Sequence, residues 1–299
     1  MRAAVYTQYG DPDVLTVSEV EEPHAGPGQV RVAVRAAGVN PIDWKIVTGA
    51  MARGGSVKAP TVPGIDAAGV VDEVGDGVAG VQVGDAIFGH ATGGSAAEFA
   101  VLTAWAHKPE GTSFEVAGGL PVSGETAVRV LDLLGLKPGQ TLVVDGASGG
   151  VGCVTVQVAV NRGLTVIGTA GESNQDFVGS LRALPTTYGP GLADRVRALA
   201  PDGVDGAVDT VGKGSVPDLV ALTGDPAKVV TIADFGAAEL GVQVTSGGGG
   251  QAPRLAQIAE LVAQERLTLP VTTYPLDRIS DAYRESRGGH VRGKLVLVP

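Results

Sequence analysis

Two short stretches carry residue types that can do chemistry. The first is VVDGASGGVG, in which Ala147-x-Gly149-x-x-Gly152 stands between a strand-like run and a helix-like one. In such a βαβ setting small residues let a backbone approach a pyrophosphate, and the helix N-terminus offers free N–H groups and a positive dipole end. Ala147, Ser148, Gly149, Gly150, Val151 and Gly152 are therefore candidate nucleotide contacts. Ala147 replaces the usual first glycine with another small residue. The alternative is a Gly-rich turn between packed elements. The second stretch is AAGVNPIDWK (36–45), which ends the strand-like run QVRVAVR abruptly. Asn, Pro and Asp are turn formers, whereas Trp and Lys in a turn ask for a contact. Asn40, Asp43 and Lys45 are the candidate catalytic residues. Against these readings stand a solvated Lys45, a turn-forming Asn40 and an Asp43 that caps a helix over DWKIVTG.

The elements that must position these residues fall into two groups. Residues 1 to about 122 read as short Val-rich strands (RAAVYTQ, VLTVSEV, QVRVAVRAAGV, AGVVDEVG, EFAVLTA) broken by Gly, Pro and Asp, the pattern of a β-barrel or sandwich. The character changes near Pro121. SGETAVRVLDLLGL (123–136) is spaced as a helix, and buried-type strands then alternate with helices from TLVVDG (141–146) to KVVTIAD (228–234). That alternation predicts a parallel sheet with crossover helices. The helix 252–267 is expected to close this domain, and the tail strands LPVTTYPL and GKLVLVP to rejoin the first. The predicted domains are 1–122, completed by 268–299, and 123–267. The run SGGGGQ (246–251) reads as a loop near a ligand.

A chain of 299 residues exceeds what one core usually holds. With 44% hydrophobic and 18% charged residues it reads as globular rather than disordered. Its net charge of −10, without a basic run, argues against nucleic acid as a partner. A single cysteine, Cys153, rules out an internal disulfide and a Cys-rich zinc site. The N-terminal MRAAVYTQYG lacks the apolar core of a signal peptide, and no segment reaches the ~20 apolar residues of a membrane span. A cytoplasmic protein is the expectation.

The second strand of the βαβ unit ends at Gly168-Thr169-Ala170. An NAD site places an acid there for the ribose 2′-hydroxyl, and Ala170 cannot serve. The missing acid favours NADP, with Ser173 and Asn174 donating to the 2′-phosphate and Arg182 adding charge; Glu172 is the feature that speaks for NAD.

Taken together, GVNPIDWK, VPGIDAAGVVDEVGDGV (62–78), GDAIFG (84–89), LPVSGETA (120–127), GASGGVG (146–152) and RGKLVLVP (292–299) resemble, in order, the medium-chain dehydrogenase/reductase superfamily. Within it the chain looks most like the zinc-independent quinone oxidoreductases, with related plant enone reductases carrying a similar NPxDxK stretch. The resemblance implies a GroES-like catalytic β-barrel domain, a Rossmann domain, an active site in the cleft between them, NADPH as donor and a homodimer formed through the Rossmann domain. It places Thr126 close to the nicotinamide, Tyr188 by the adenosine, and Thr210 after the strand flanking the adenine; Thr169, at the end of the second strand, is a further candidate cofactor contact. Zinc-dependent relatives have Cys where Asn40 stands and His where Ile65 stands, and the third ligand position near Pro121–Gly124 has no Cys. The four-Cys structural lobe is missing as well, so no metal is expected. A Lys common in the family past the second Rossmann strand is absent, with Gln175 near its place.

Without a metal, donors must meet the charge that develops on an enolate or quinol oxygen as hydride arrives. Lys45 is the best such donor and a proton relay. Asn40 can donate to the nicotinamide ribose or the substrate oxygen, and Asp43 can orient Lys45. Trp44 either walls a pocket or packs in the core. Cys153 is read as a small buried residue, His90 and Tyr6 as weak proton donors, and Phe235 as a neighbour of the nicotinamide. The expected activity is NADPH-dependent reduction of a quinone or an α,β-unsaturated carbonyl. The alternatives are an enoyl reductase dedicated to a carrier-bound or polyketide intermediate, and a silent nucleotide-binding protein.

Overall fold

A computed structural model describes residues 1–52, 54–247 and 249–299. The expected ligand loop 246–251 includes Gly248, which lies outside the described residues. The chain divides into two compact units. One comprises Met1–Val122, Gly250–Glu265 and Leu269–Pro299; the other comprises Ser123–Gly249 and Arg266–Thr268.

The first unit opens with an antiparallel pair, β1 (Arg2–Val5) and β2 (Thr16–Glu19). Then come β3 (Val30–Val39), α1 (Pro41–Val47), β4 (Asp66–Val74), β5 (Ala86–Thr92) and β6 (Phe99–His107). These four strands pair antiparallel in sequence, and β3 also pairs with β6, so they close on themselves as a barrel. Val30, Val32 and Val34 alternate inward along β3 and pack with Ile87, Leu102 and Leu295, the period-2 pattern of a half-buried strand.

The helix α2 (Phe114–Leu134) begins in this unit and ends in the next. It runs through Pro121, which the sequence suggested as a boundary between strands and helices. A proline interrupts the helix ladder rather than ending the helix when nearby groups find partners. Here the Val122 N–H donates to Asp66 Oδ1 at 2.9 Å.

The second unit alternates β7 (Thr141–Asp145), α3 (Gly150–Asn161), β8 (Thr165–Thr169), α4 (Gln175–Ser180), β9 (Leu184–Thr186), α5 (Leu192–Leu199), β10 (Gly206–Asp209), α6 (Val216–Thr223), β11 (Val229–Thr231) and β12 (Gln243–Val244). All pairings are parallel, in the order β12-β11-β10-β7-β8-β9. This is a doubly wound Rossmann sheet whose strand order reverses between β7 and β10. Val143, Ile167, Ala207 and Val229 pack one face with Leu192, Val196 and Leu219.

The chain then returns to the first unit with α7 (Gln251–Ala263), β13 (Val271–Pro275), α8 (Ile279–Gly288) and β14 (Lys294–Val298). The helix expected to close the nucleotide-binding domain belongs instead to the first unit, where it lies beside β6. Its buried stripe of Leu255, Ile258 and Leu261 was legible as helical spacing, but spacing says that a face is buried and not what buries it. The strand β14 pairs antiparallel with β3 and parallel with β13, extending the barrel sheet.

Candidate active site

The nucleotide loop leaves the C-terminal end of β7, at the point where the sheet order reverses. Gly146 has φ +85°, and a Cβ there would meet Val211 Cγ2 at 2.4 Å. A Cβ at Gly152 would lie 2.0 Å from the Gly146 carbonyl oxygen, so glycine is required for α3 to approach the turn. Gly168 in β8 leaves room for the Ala147 methyl, 2.7 Å from where its own Cβ would be. That is why a small side chain suffices at position 147. A Cβ on Gly149 would meet nothing nearer than 3.6 Å, and Gly149 caps α3 without a side-chain bond. No side chain caps the start of α3, and the first N–H groups of a helix have no partner within it, so this end suits an anion such as a pyrophosphate.

Buried polar groups hold this loop from below. Thr169 is fully buried; its hydroxyl donates to Asp145 Oδ1 and accepts from the Gly146 N–H at 3.0 Å. The side chain of Thr169, a candidate cofactor contact, braces the loop from the strand ends. Ser215 donates to Asp145 Oδ2 at 2.5 Å and Thr210 to the Asp145 carbonyl at 2.7 Å. Burial, with the like charge of Asp209 adding to it, raises the Asp145 pKa above the usual carboxylate range, against the hydrogen bonds from Ser215 and Thr169. Cys153 is buried, with its thiol 3.4 Å from the Gly150 carbonyl.

Past β8, Ser173 is exposed and Asn174 half-buried. The Gln175 amide ties the turn by donating to the carbonyls of Ala170, Gly171 and Thr186. Tyr188 is exposed, and its phenol oxygen would lie 3.6 Å from a Cβ on Gly171. Its loop is gathered by Arg195, whose guanidinium donates to the carbonyls of Thr187, Tyr188, Gly189 and Pro190. The sequence reading missed Arg195, since an Arg on an amphipathic helix reads as a solvent face. It also missed Arg129, although the Glu125–Arg129 spacing on α2 was visible. Arg129 bonds Glu125 at 3.1 and 3.2 Å, the Thr126 hydroxyl at 3.2 Å, and the Thr245 hydroxyl. Phe235 is exposed on a short 3-10 turn.

In the first unit the 40–45 stretch is a helix start rather than a loop. Asn40 caps α1 and Pro41 takes the first helical position. The Asn40 N–H donates to Asp43 Oδ2 at 2.7 Å and the Asp43 N–H to the Asn40 carbonyl at 3.0 Å, a reciprocal capping arrangement. Both side chains are buried, Asn40 at 2% and Asp43 at 1% exposure. The Asn40 amide donates to Asp66 Oδ2 at 2.9 Å and accepts from the Lys294 ammonium. That ammonium also stands 3.3 Å from Asp66 Oδ2. His90 Nδ1 lies 3.8 Å from the other Asp66 oxygen.

Burial pushes the Asp43 carboxyl from 3.8 up to about 7, with Asp66 adding to the rise and the Asn40 N–H and Lys294 opposing it. Its Oδ1 has no partner among the described residues. Lys45 is half-exposed on α1, with its ammonium 5.7 Å from the centre of the Trp44 ring. Trp44 packs against the barrel core, and its indole N–H is buried without a partner among the described residues. Of the three candidates, then, Lys45 is the one that reaches the surface, while Asn40 and Asp43 form a buried brace beneath it. Tyr6, offered as a weak donor, is buried in the same core, and burial raises its pKa.

A closed antiparallel barrel followed by a doubly wound sheet with a glycine loop at its switch point defines a two-unit dinucleotide-binding oxidoreductase fold. Residues 26–131 match the alcohol dehydrogenase GroES-like domain, and residues 187–297 match a family described as zinc-binding dehydrogenase. The chain is 32% identical to a chloroplastic quinone-oxidoreductase homolog of Spinacia oleracea, over 100% of its own length and 98% of the relative's. It is 31% identical to a 2-methylene-furan-3-one reductase of Solanum lycopersicum, over 100% and 79%. A mycobacterial protein solved in complex with NADPH superposes with a TM-score of 0.88 at 27% identity, covering 100% of both chains. The chain belongs to the medium-chain dehydrogenase/reductase superfamily.

The zinc in the name of one matching family does not fit the residues present. Zinc takes three or four N, S or O donors at one point. Around Asp66 stand an amide, an ammonium and, at 3.8 Å, the His90 ring; the ammonium has no lone pair to give, so Asp66 and His90 are too few donors for zinc. Among the described residues no group of three His, Cys, Asp or Glu side chains is arranged to hold a metal ion.

Proposed function

We propose that this chain is a zinc-independent, NADPH-dependent reductase of quinones or α,β-unsaturated carbonyls. The observation that carries the reading is the glycine loop at the switch point, where Gly152 lets α3 approach the turn and no side chain caps the start of that helix. The names of the quinone-oxidoreductase and furanone-reductase relatives support the acceptor class.

NADPH, when bound, supplies the hydride. Residues 147–152 hold its pyrophosphate, with Ser173 and Asn174 donating to the 2′-phosphate, Tyr188 beside the adenosine and Thr210 near the adenine. The Thr126 hydroxyl accepts from Arg129, which leaves its own proton to donate to the nicotinamide amide. As hydride adds to the acceptor carbon, an electron pair moves to its oxygen. Lys45 donates to that oxygen and relays the proton that completes the reduction. Asn40 and Asp43 set the start of α1 and so the reach of Lys45.

The functional domains follow the two units, with NADPH held by the second. The protein acts as a homodimer joined through that unit, where β12 ends the sheet. It works in the cytoplasm, where a lone buried Cys153 suits a reducing compartment. No helix among the described residues is long and apolar enough to cross a membrane.

The test is to follow NADPH oxidation by the purified chain with a panel of quinones and enones. Turnover of at least one acceptor, lowered in Lys45→Ala, is expected. Tight NADPH binding with no turnover of any acceptor would refute the reading.

A further inference from the structure

A lysine is almost never buried unless paired, and Lys294 is only 4% exposed. It opens β14, whose register sets Leu295 opposite Val39, while Gly38 stands opposite Asp66 on the other side of β3. Three neighbouring strand ends thus bring Lys294, Asn40 and Asp66 together. The stem of Lys294 passes over α2 at Gly119, where a Cβ would lie 3.1 Å from Lys294 Cγ.

The ammonium decides which way round the Asn40 amide sits. It carries donors only, so Asn40 must turn Oδ1 toward it and Nδ2 toward Asp66. Asp66 in turn accepts the Val122 N–H of α2. One cation therefore joins β14, the cap of α1, the first residue of β4 and α2. The charged and titratable groups around it are Asp66, Asp43 and His90.

We propose that Lys294 is a positioning residue for the reduction, a resident cation that fixes the Asn40 amide. It locks Asn40, Asn40 locks the first turn of α1, and α1 holds Lys45 one turn further on at the oxygen of the acceptor. This rests on the reading that Lys45 serves that oxygen.

Removing the ammonium alone strands a buried carboxylate, so the test uses a charge-balanced pair, Lys294→Met with Asp66→Asn. It is compared with Lys45→Ala and with the triple variant. Circular dichroism checks folding, NADPH affinity is read by fluorescence, and turnover is measured with the acceptor that the wild type reduces best. The pair is expected to fold and to bind NADPH as the wild type does, with kcat lowered about 100-fold, the scale of a reactive group displaced by an ångström. Lys45→Ala is expected to show a similar loss, and the triple variant no further loss, because both changes act through one group. A folded pair with undiminished kcat would overturn the proposal, as would losses that multiply in the triple variant. If Lys45→Ala keeps the full rate, the assignment of Lys45 falls and the positioning role falls with it. If Lys45→Ala is impaired and the pair is not, only the role of Lys294 is wrong.

Discussion

Asp43 offers a measurement that isolates one carboxyl. Its pKa in the folded chain is raised from 3.8 to about 7 by burial. Between about pH 4 and pH 7 the native state therefore keeps a proton that the unfolded chain has already released. Where the native state binds more protons, stability falls as pH rises. The contribution is fully present below the unfolded pKa and is lost by the time pH passes the folded one. A gap of about three units at about 1.4 kcal/mol each makes the loss about 4 kcal/mol.

Asp43→Asn removes the titration and keeps an oxygen to accept the Asn40 N–H. The stability difference between variant and wild type should shift in favour of the variant by about 1.4 kcal/mol per pH unit across that window and then level off. Asp145 is also raised, but it is common to both proteins and cancels in the difference. Both tryptophans, Trp44 and Trp105, lie in the same unit as Asp43. Urea unfolding followed by tryptophan fluorescence from about pH 5 to pH 8 therefore reports the relevant transition. A difference that stays flat across that range would show that Asp43 is not held protonated by burial, and the account of the brace would fail.

Gly152→Ala puts a methyl 2.0 Å from the Gly146 carbonyl oxygen; a loss of NADPH affinity of at least about tenfold is expected in equilibrium titration. Arg129→Met leaves Glu125, itself 3% exposed, without this countercharge. Unfolding free energy should fall by about 3 kcal/mol, and the loss should shrink when Glu125→Gln is added. Ser173→Glu sets a like charge against the 2′-phosphate and should lower the preference for NADPH over NADH about tenfold, read from the two values of kcat/KM.

Some of this protein could be read without a structure because the determinants are local. The β7–loop–α3 segment is one continuous stretch in which Gly152 answers Gly146, while Gly146 also makes room for Val211 from far along the chain. The alternation of strands and helices from 141 to 234 made the parallel sheet legible for the same reason. Other features were ambiguous locally. AAGVNPIDWK carries turn formers and a helix cap at once, and the fold chose the cap because the Asp43 side chain folds back on the Asn40 N–H. The sequence changes character near Pro121, yet α2 runs through it, with the next N–H taken by an aspartate from β4.

The sequence by itself determined the two kinds of architecture, the nucleotide loop and the absence of a Cys-rich metal site, since composition and short-range spacing are properties of the chain. Only the tertiary structure decided what surrounds Asn40. GKLVLVP reads as a tail strand that rejoins the first domain, and nothing local singles out its lysine. Strand register carries that lysine to a partner 254 positions away, where Gly119 leaves room for its stem. Register is set by long-range pairing and burial, and no local pattern in the sequence encodes it.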